Sequence, residues 1–325
     1  MRLGLGNVRR WLRDGAISPG RYRTITAVAL GLLVVIVITG AAVRLTGSGL
    51  GCDDWPRCNS NRLVDVSSTH AAIEQVNRLF TGLVSAGVVA AVLGSLRRTP
   101  RRSDLTRLSI GLVVGVIGQI VLGGVTVLVD LHPLAVQGHL LLSMILVANA
   151  VVLFRRAGEP DGVRRVAMTT PGTSTLTKAL AAVTGAAIVV GTVVTGAGPH
   201  AGSEDVQRFD VDIAGSARVH GVLVTAAIAL AFVLALRVQR VAGDRLVLQG
   251  AVSSWIFVAL LQAAVGYVQY FNEVPALLVG VHVAGATGLW AATVWLVLET
   301  RAPLPAAVEL SVAVGAVRPH AAQSS

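Results

Sequence analysis

Three histidines, His139, His220 and His282, lie inside long apolar segments, each a few residues past the segment's start. A neutral imidazole can be an axial ligand of haem iron, and helix bundles hold such cofactors between facing helices. A single intramembrane histidine is more often a hydrogen-bonded core residue, but here a repeat weighs against that. Gln119, Gly123 and His139 recur as Gln262, Gly266 and His282, each pair 143 positions apart, and the same offset carries Asn77 to His220. The offset does not extend before the second apolar segment, where Thr39-Gly40 finds a counterpart in Thr195-Gly196. His220 and His282 are therefore expected to point into a common space. Small neighbours (Gly138, Gly221, Ala286) would let a flat macrocycle approach the backbone. Zinc is the competing occupant, but it usually needs three or four protein ligands, and the second half offers no further ligand at that depth. His132 and His70 sit at the outer ends of segments; His200 and His320 read as solvated.

A second group surrounds Asn77. Glu74 and Arg78 are four residues apart, so on a helix they share a face with Asn77 between them. Charges inside a span are costly and mark function or an internal ion pair. Both readings stand: a pair near the interface, or a proton-handling carboxylate beside a bound substrate, with Arg78 pairing an anionic group such as a haem propionate. The two cysteines, Cys52 and Cys58, bracket Cys52-Asp53-Asp54-Trp55-Pro56-Arg57-Cys58 in a loop. If that loop faces an oxidising compartment, a disulfide can persist there. It would serve as a redox-active pair or as a loop staple.

What must position these residues is a set of membrane helices. The chain is 54% hydrophobic and 14% charged over 325 residues, with a mean hydropathy of +0.71. Soluble domains carry about 25% charged residues. Apolar runs long enough to span a bilayer occur at 24–44, 72–95, 107–129, 134–154, 178–198, 217–236, 247–269 and 276–299. The first is a full span without a signal peptide's short core and cleavage site, so it is read as the first helix of the mature protein. The net charge of +10 orients the protein and calls for no nucleic acid. Of 27 Lys and Arg, all but Arg44, Arg57, Arg62, Arg208, Arg218 and the intramembrane Arg78 fall on one side. The positive-inside rule then places both termini in the cytoplasm of a plasma-membrane protein.

The expected fold is all-α and integral to the membrane: eight helices in two four-helix bundles, related by a parallel repeat because each half has an even number of spans. The expected organisation is a cytoplasmic segment 1–23, an N-terminal half 24–154, a basic cytoplasmic linker 155–177, a C-terminal half 178–299 and a cytoplasmic tail 300–325. From Pro303 onward that tail reads as disordered.

With these residues in view the chain resembles the haem A synthases, membrane enzymes that oxidise a methyl group of haem O to the formyl group of haem A. The resemblance covers nearly the whole chain, including the loop cysteines, the helical halves and the histidines of helices four, six and eight. It implies that Glu74 is the catalytic carboxylate and that His220 and His282 ligate a haem b. His139, with Asn77 and Arg78, would face the substrate haem O, and Cys52 and Cys58 would form the loop disulfide. The family's helix-two motif, Glu-x-x-His-Arg, here reads Glu74-Gln75-Val76-Asn77-Arg78. An amide is a poor iron ligand, so the N-terminal haem is left with His139 alone unless His70 takes the vacant side. Implied partners are the lipid bilayer, a membrane electron donor and haem O synthase. The first rival is a di-haem cytochrome exchanging electrons with quinone; the second is a transporter without haem. A haem-farnesylating transferase is disfavoured, because no Asp-rich diphosphate motif lies in the spans.

Overall fold

The computed structural model describes residues 15–304. Eight long helices dominate it: α1 (Pro19–Leu45), α2 (Thr69–Arg97), α3 (Ser103–Leu128), α4 (Pro133–Ala157), α5 (Pro171–Ala197), α6 (Ile213–Arg240), α7 (Ala242–Phe271) and α8 (Ala276–Glu299). All eight are long and apolar enough to cross a membrane; the chain is a multi-pass membrane protein. The helices run 24 to 30 residues, longer than most of the apolar runs, because helical hydrogen bonding continues into the polar flanks. Their starts follow from local chemistry. Ser18, Ser68 and Asp212 accept hydrogen bonds from backbone N–H groups of the first turns of α1, α2 and α6. Prolines open α1, α4 and α5, where the missing N–H costs nothing. Arginines sit in the last turns of α2, α4 and α6, complementing the exposed carbonyls.

Helices α1 to α4 pack each against the next, and α4 closes back on α1; α5 to α8 do the same. One apolar core belongs to the first set, around Leu33, Val88, Leu105, Leu112 and Leu153. Another belongs to the second, around Leu180, Ala231, Leu234, Leu248 and Trp255. A third lies between them, where Val37, Met144, Val147 and Val151 meet Ile188, Val283 and Trp290. Large apolar side chains such as Val114, Ile117, Phe257 and Leu277 point outward, as lipid-facing surfaces require. Two of the interior polar pairs are the Trp255 indole N–H donating to Thr293, and Tyr22 sharing a hydrogen bond with Ser109.

Two boundary expectations change at the end of the bundle where α1 starts and α8 ends. The segment expected as a linker, 155–177, is helical at both ends: α4 runs to Ala157 and α5 starts at Pro171. Thr170, just before α5, hydrogen-bonds Asp244 of α7, which also accepts from Thr173. The remainder is tied down by charge, with buried Arg98 paired to Asp161 at 2.7 Å and Arg165 to Glu159. The start of the expected disordered tail is ordered, because Arg301–Leu304 forms strand β2 against strand β1 (Arg164–Ala167), pairing Pro303 with Arg165. Residues 305–325, His320 among them, and residues 1–14 lie outside the described residues.

Candidate functional site

The loop between α1 and α2 folds over the end of the bundle opposite the start of α1. Cys52 and Cys58 are buried and joined by a disulfide. The loop is seated on α2 by the two charges there. Glu74 accepts a hydrogen bond from the Cys52 backbone N–H at 2.8 Å through one carboxylate oxygen. Through the other it accepts from the Arg78 Nε and Nη2 at 3.0 and 2.6 Å. Arg78 also donates to the carbonyls of Arg57 and Asp54. Every nitrogen of its guanidinium is thus engaged within the protein, leaving little of it for an outside anion. Two glycines allow the loop this approach. A Cβ at Gly51 would collide with the His70 carbonyl, and a Cβ at Gly124 of α3 would lie 2.6 Å from the Trp55 indole.

Under this roof is a cavity of about 680 Å³ among α1 to α4, reaching residues of the second half. Its polar lining includes Glu74, Asn77, Arg78, Gln119, His139 and Arg44; most of the rest is apolar. His139 sits on Gly123, where a Cβ would lie 3.2 Å from its Cε1. Gln119 donates to the His139 carbonyl and to Ser143 at 3.0 and 2.6 Å. The His139 Nδ1 is buried with no partner. Asn77 is held by Thr39 of α1, whose hydroxyl donates to the amide oxygen at 2.8 Å. His70 does not join this group: it is exposed, its Nδ1 meets Ser48 at 2.9 Å, and it is not among the cavity-lining residues.

The second half has a different arrangement at similar depth. The His220 and His282 rings face each other with centroids 6.4 Å apart and planes at 68°. A metal–imidazole bond is about 2 Å, so two rings on opposite sides of one metal have centroids roughly 6 Å apart. The pair therefore fits a haem iron between them. The His220 Nδ1 meets the Ala187 carbonyl at 2.9 Å, which orients the ring and frees Nε2. Gln262 donates to the His282 carbonyl at 2.7 Å, the same contact that Gln119 makes to His139. Glycines again make room, since a Cβ at Gly191 or Gly266 would lie 3.0 or 3.1 Å from the Cε1 of His220 or His282. Among the described residues no group of three or more His, Cys, Asp or Glu side chains gathers as a metal site, so the residues suit a haem better than a zinc ion.

The structure thus brings His220 to His282, and His139 to Glu74, Asn77 and Arg78, in two separate places. His132 caps α4 through its Nδ1, and His200, expected to be solvated, is partly buried with its Nε2 2.7 Å from the Val274 carbonyl. Sequence reasoning missed Thr39 as the partner of Asn77. Thr39 and Gly191 lie the same distance along α1 and α5 from the opening prolines and face Asn77 and His220 respectively. Contact therefore matches Thr39 to Gly191 rather than to Thr195. The signal was there in the two prolines, which start both helices in register. Arg44 was also missed; it is a second arginine on the cavity wall.

The model of a family described as cytochrome oxidase assembly protein matches residues 23–72 and 62–205, more than half of the chain. A haem A synthase of Shouchella clausii is 32% identical over 150 residues, 46% of this chain and 50% of that protein. One of Lysinibacillus sphaericus is 28% identical over 147 residues, 45% of this chain and 48% of its own length. A protoheme IX farnesyltransferase of Thermus thermophilus is 38% identical over 69 residues, 21% of this chain and 11% of that protein. The chain spans about half the length of the haem A synthases it matches.

Proposed function

The chain belongs to the cytochrome oxidase assembly protein family, and we propose that it is a haem A synthase, oxidising a methyl group of haem O to the formyl group of haem A for terminal oxidase assembly. The observation that carries this reading is the pairing of two unlike sites at one end of the bundle: two facing imidazoles in one half, and a roofed cavity with a single imidazole and a carboxylate in the other. We place the protein in the plasma membrane with both termini cytoplasmic, and treat residues 24–154 and 178–299 as halves of a parallel repeat. The recurrence of the glutamine, glycine and histidine contacts supports that relation.

His220 and His282 would hold a haem b, which would supply one-electron redox chemistry there. Ala187 fixes the His220 ring from behind, and Gly191 and Gly266 let both rings sit close to neighbouring helices. In the other half His139 would be the residue that holds the iron of the substrate haem O, since Asn77 is turned to Thr39 and His70 to Ser48. The cavity's apolar walls suit a macrocycle with a long hydrocarbon tail. Glu74 places a carboxyl group, paired with Arg78, at the cavity wall. There it can accept a proton leaving the methyl group, while Arg78 and the Cys52 N–H hold the carboxylate in place. Trp55 and Pro56 of the disulfide loop cover the cavity and limit water entry. Methyl-to-formyl oxidation removes four electrons from the carbon, so the scheme needs molecular oxygen as oxidant, a membrane electron donor to reduce the second oxygen atom to water, and haem O synthase as the source of substrate.

The test is chromatography of haems extracted from membranes of cells that make haem O, with and without this chain. Haem A that appears only with the chain supports the proposal. Bound haem b without haem A would leave an electron-carrying cytochrome instead.

A further inference from the structure

Among the described residues two neighbouring arginines, Arg44 on the cavity wall and Arg208 beside it, have no acidic partner. Arg44, in the last turn of α1, lines the cavity and reaches the second half, where its Nη2 donates to the Thr195 carbonyl at 2.5 Å. Its Nε is buried and has no partner. The charge acting on it is the like charge of Arg208, which donates to the Gly198 carbonyl. Among the described residues no carboxylate forms an ion pair with either guanidinium. The contrast is Arg78 on the same cavity, each of whose three guanidinium nitrogens is engaged by Glu74 or a loop carbonyl. A buried charge that is unpaired and beside a like charge is unfavourable. It becomes favourable when an anion with matching geometry arrives, and guanidinium binds carboxylate through paired hydrogen bonds.

We propose that Arg44, supported by Arg208, binds the carboxylate side chains of the tetrapyrrole that occupies this cavity. This rests on the reading that the cavity takes a haem. It adds an orientation: the acidic edge of the macrocycle lies toward Arg44 at the junction of the two halves, and the apolar edge lies toward the lipid-facing walls. Orientation matters because only one ring position can be presented to Glu74. Arg44 is then a positioning residue that selects which methyl group is oxidised.

The experiment uses the full chain in nanodiscs of phosphatidylcholine, titrated with protohaem and with protohaem dimethyl ester, whose carboxylates are blocked. The signal is the part of the absorbance change that His139→Ala removes. For the unaltered chain, the ester should bind roughly 10- to 100-fold more weakly than protohaem, as loss of charge-assisted hydrogen bonds implies. Arg44→Gln should weaken protohaem by a similar factor and bind the ester as the unaltered chain does, while Arg44→Lys recovers part of the loss. Arg208→Gln leaves the Arg44–Thr195 contact in place and should show a smaller loss of the same kind, so the test survives if Arg44→Gln fails to fold. Equal binding of acid and ester by the unaltered chain overturns the proposal while leaving the cavity a haem site. In a parallel set of nanodiscs containing phosphatidylglycerol, arginine variants that lose bound phosphatidylglycerol but keep their preference for acid over ester also overturn it, assigning the pair to a lipid phosphate. Absence of any His139-dependent signal overturns the haem reading of the cavity, and this proposal with it.

Discussion

Replacing Glu74 by alanine should do two things at once, and separating them is the most informative experiment on this site. The carboxylate accepts three hydrogen bonds, one from the Cys52 N–H and two from Arg78. Its side chain is 7% exposed and that of Arg78 is 21% exposed. Removing one partner of a buried ion pair costs about 3–5 kcal/mol. Because Arg78 keeps two loop carbonyls and some contact with solvent, about 2–3 kcal/mol is the fitting figure. At 1.4 kcal/mol per tenfold, the disulfide loop should open roughly 30- to 150-fold more often. Amide hydrogen exchange across residues 51–58 reads this directly in nanodiscs. Glu74→Gln keeps an oxygen for the Cys52 N–H and should raise exchange by less than about tenfold. If Glu74 acts chemically, the glutamine variant loses haem A formation with its loop still protected, and haem b remains bound in both variants. Unchanged exchange in Glu74→Ala would refute the claim that this carboxylate seats the loop. Normal haem A formation by Glu74→Gln would refute its role as proton acceptor.

Replacing either His220 or His282 by alanine should abolish or convert a low-spin haem b spectrum; a wild-type spectrum in both variants would place the haem elsewhere. Asn77→His alone should not make the N-terminal haem low-spin, because Thr39 stands where Gly191 makes room for His220. Thr39→Gly combined with Asn77→His should do so, and a low-spin signal from the single variant would show that Thr39 is no obstacle. Thiol labelling of intact cells should modify Cys52 and Cys58 only after reduction; labelling without reductant argues against a stable bridge.

Much of this protein is determined locally, and so was legible from the sequence. Eight apolar segments must form helices, because backbone groups in lipid have no other partners. Counting residues from each helix start placed His139, His220 and His282 at similar depths, and spacing put Glu74 and Arg78 on one face. Depth and face are properties of a single helix. Which helix a face meets is not, and that only the packing of the bundle decided. His220 and His282 face each other because α5 and α7 offer glycines behind their rings. Asn77 meets a threonine instead, since α1 carries Thr39 at the matching position. The engagement of Arg78 was hidden for a related reason: it is satisfied by the backbone carbonyls of Asp54 and Arg57, which every residue possesses and no side-chain pattern reveals. Arg44 became conspicuous only once the folded chain left it without an acid, because an unpaired charge is defined by everything that surrounds it.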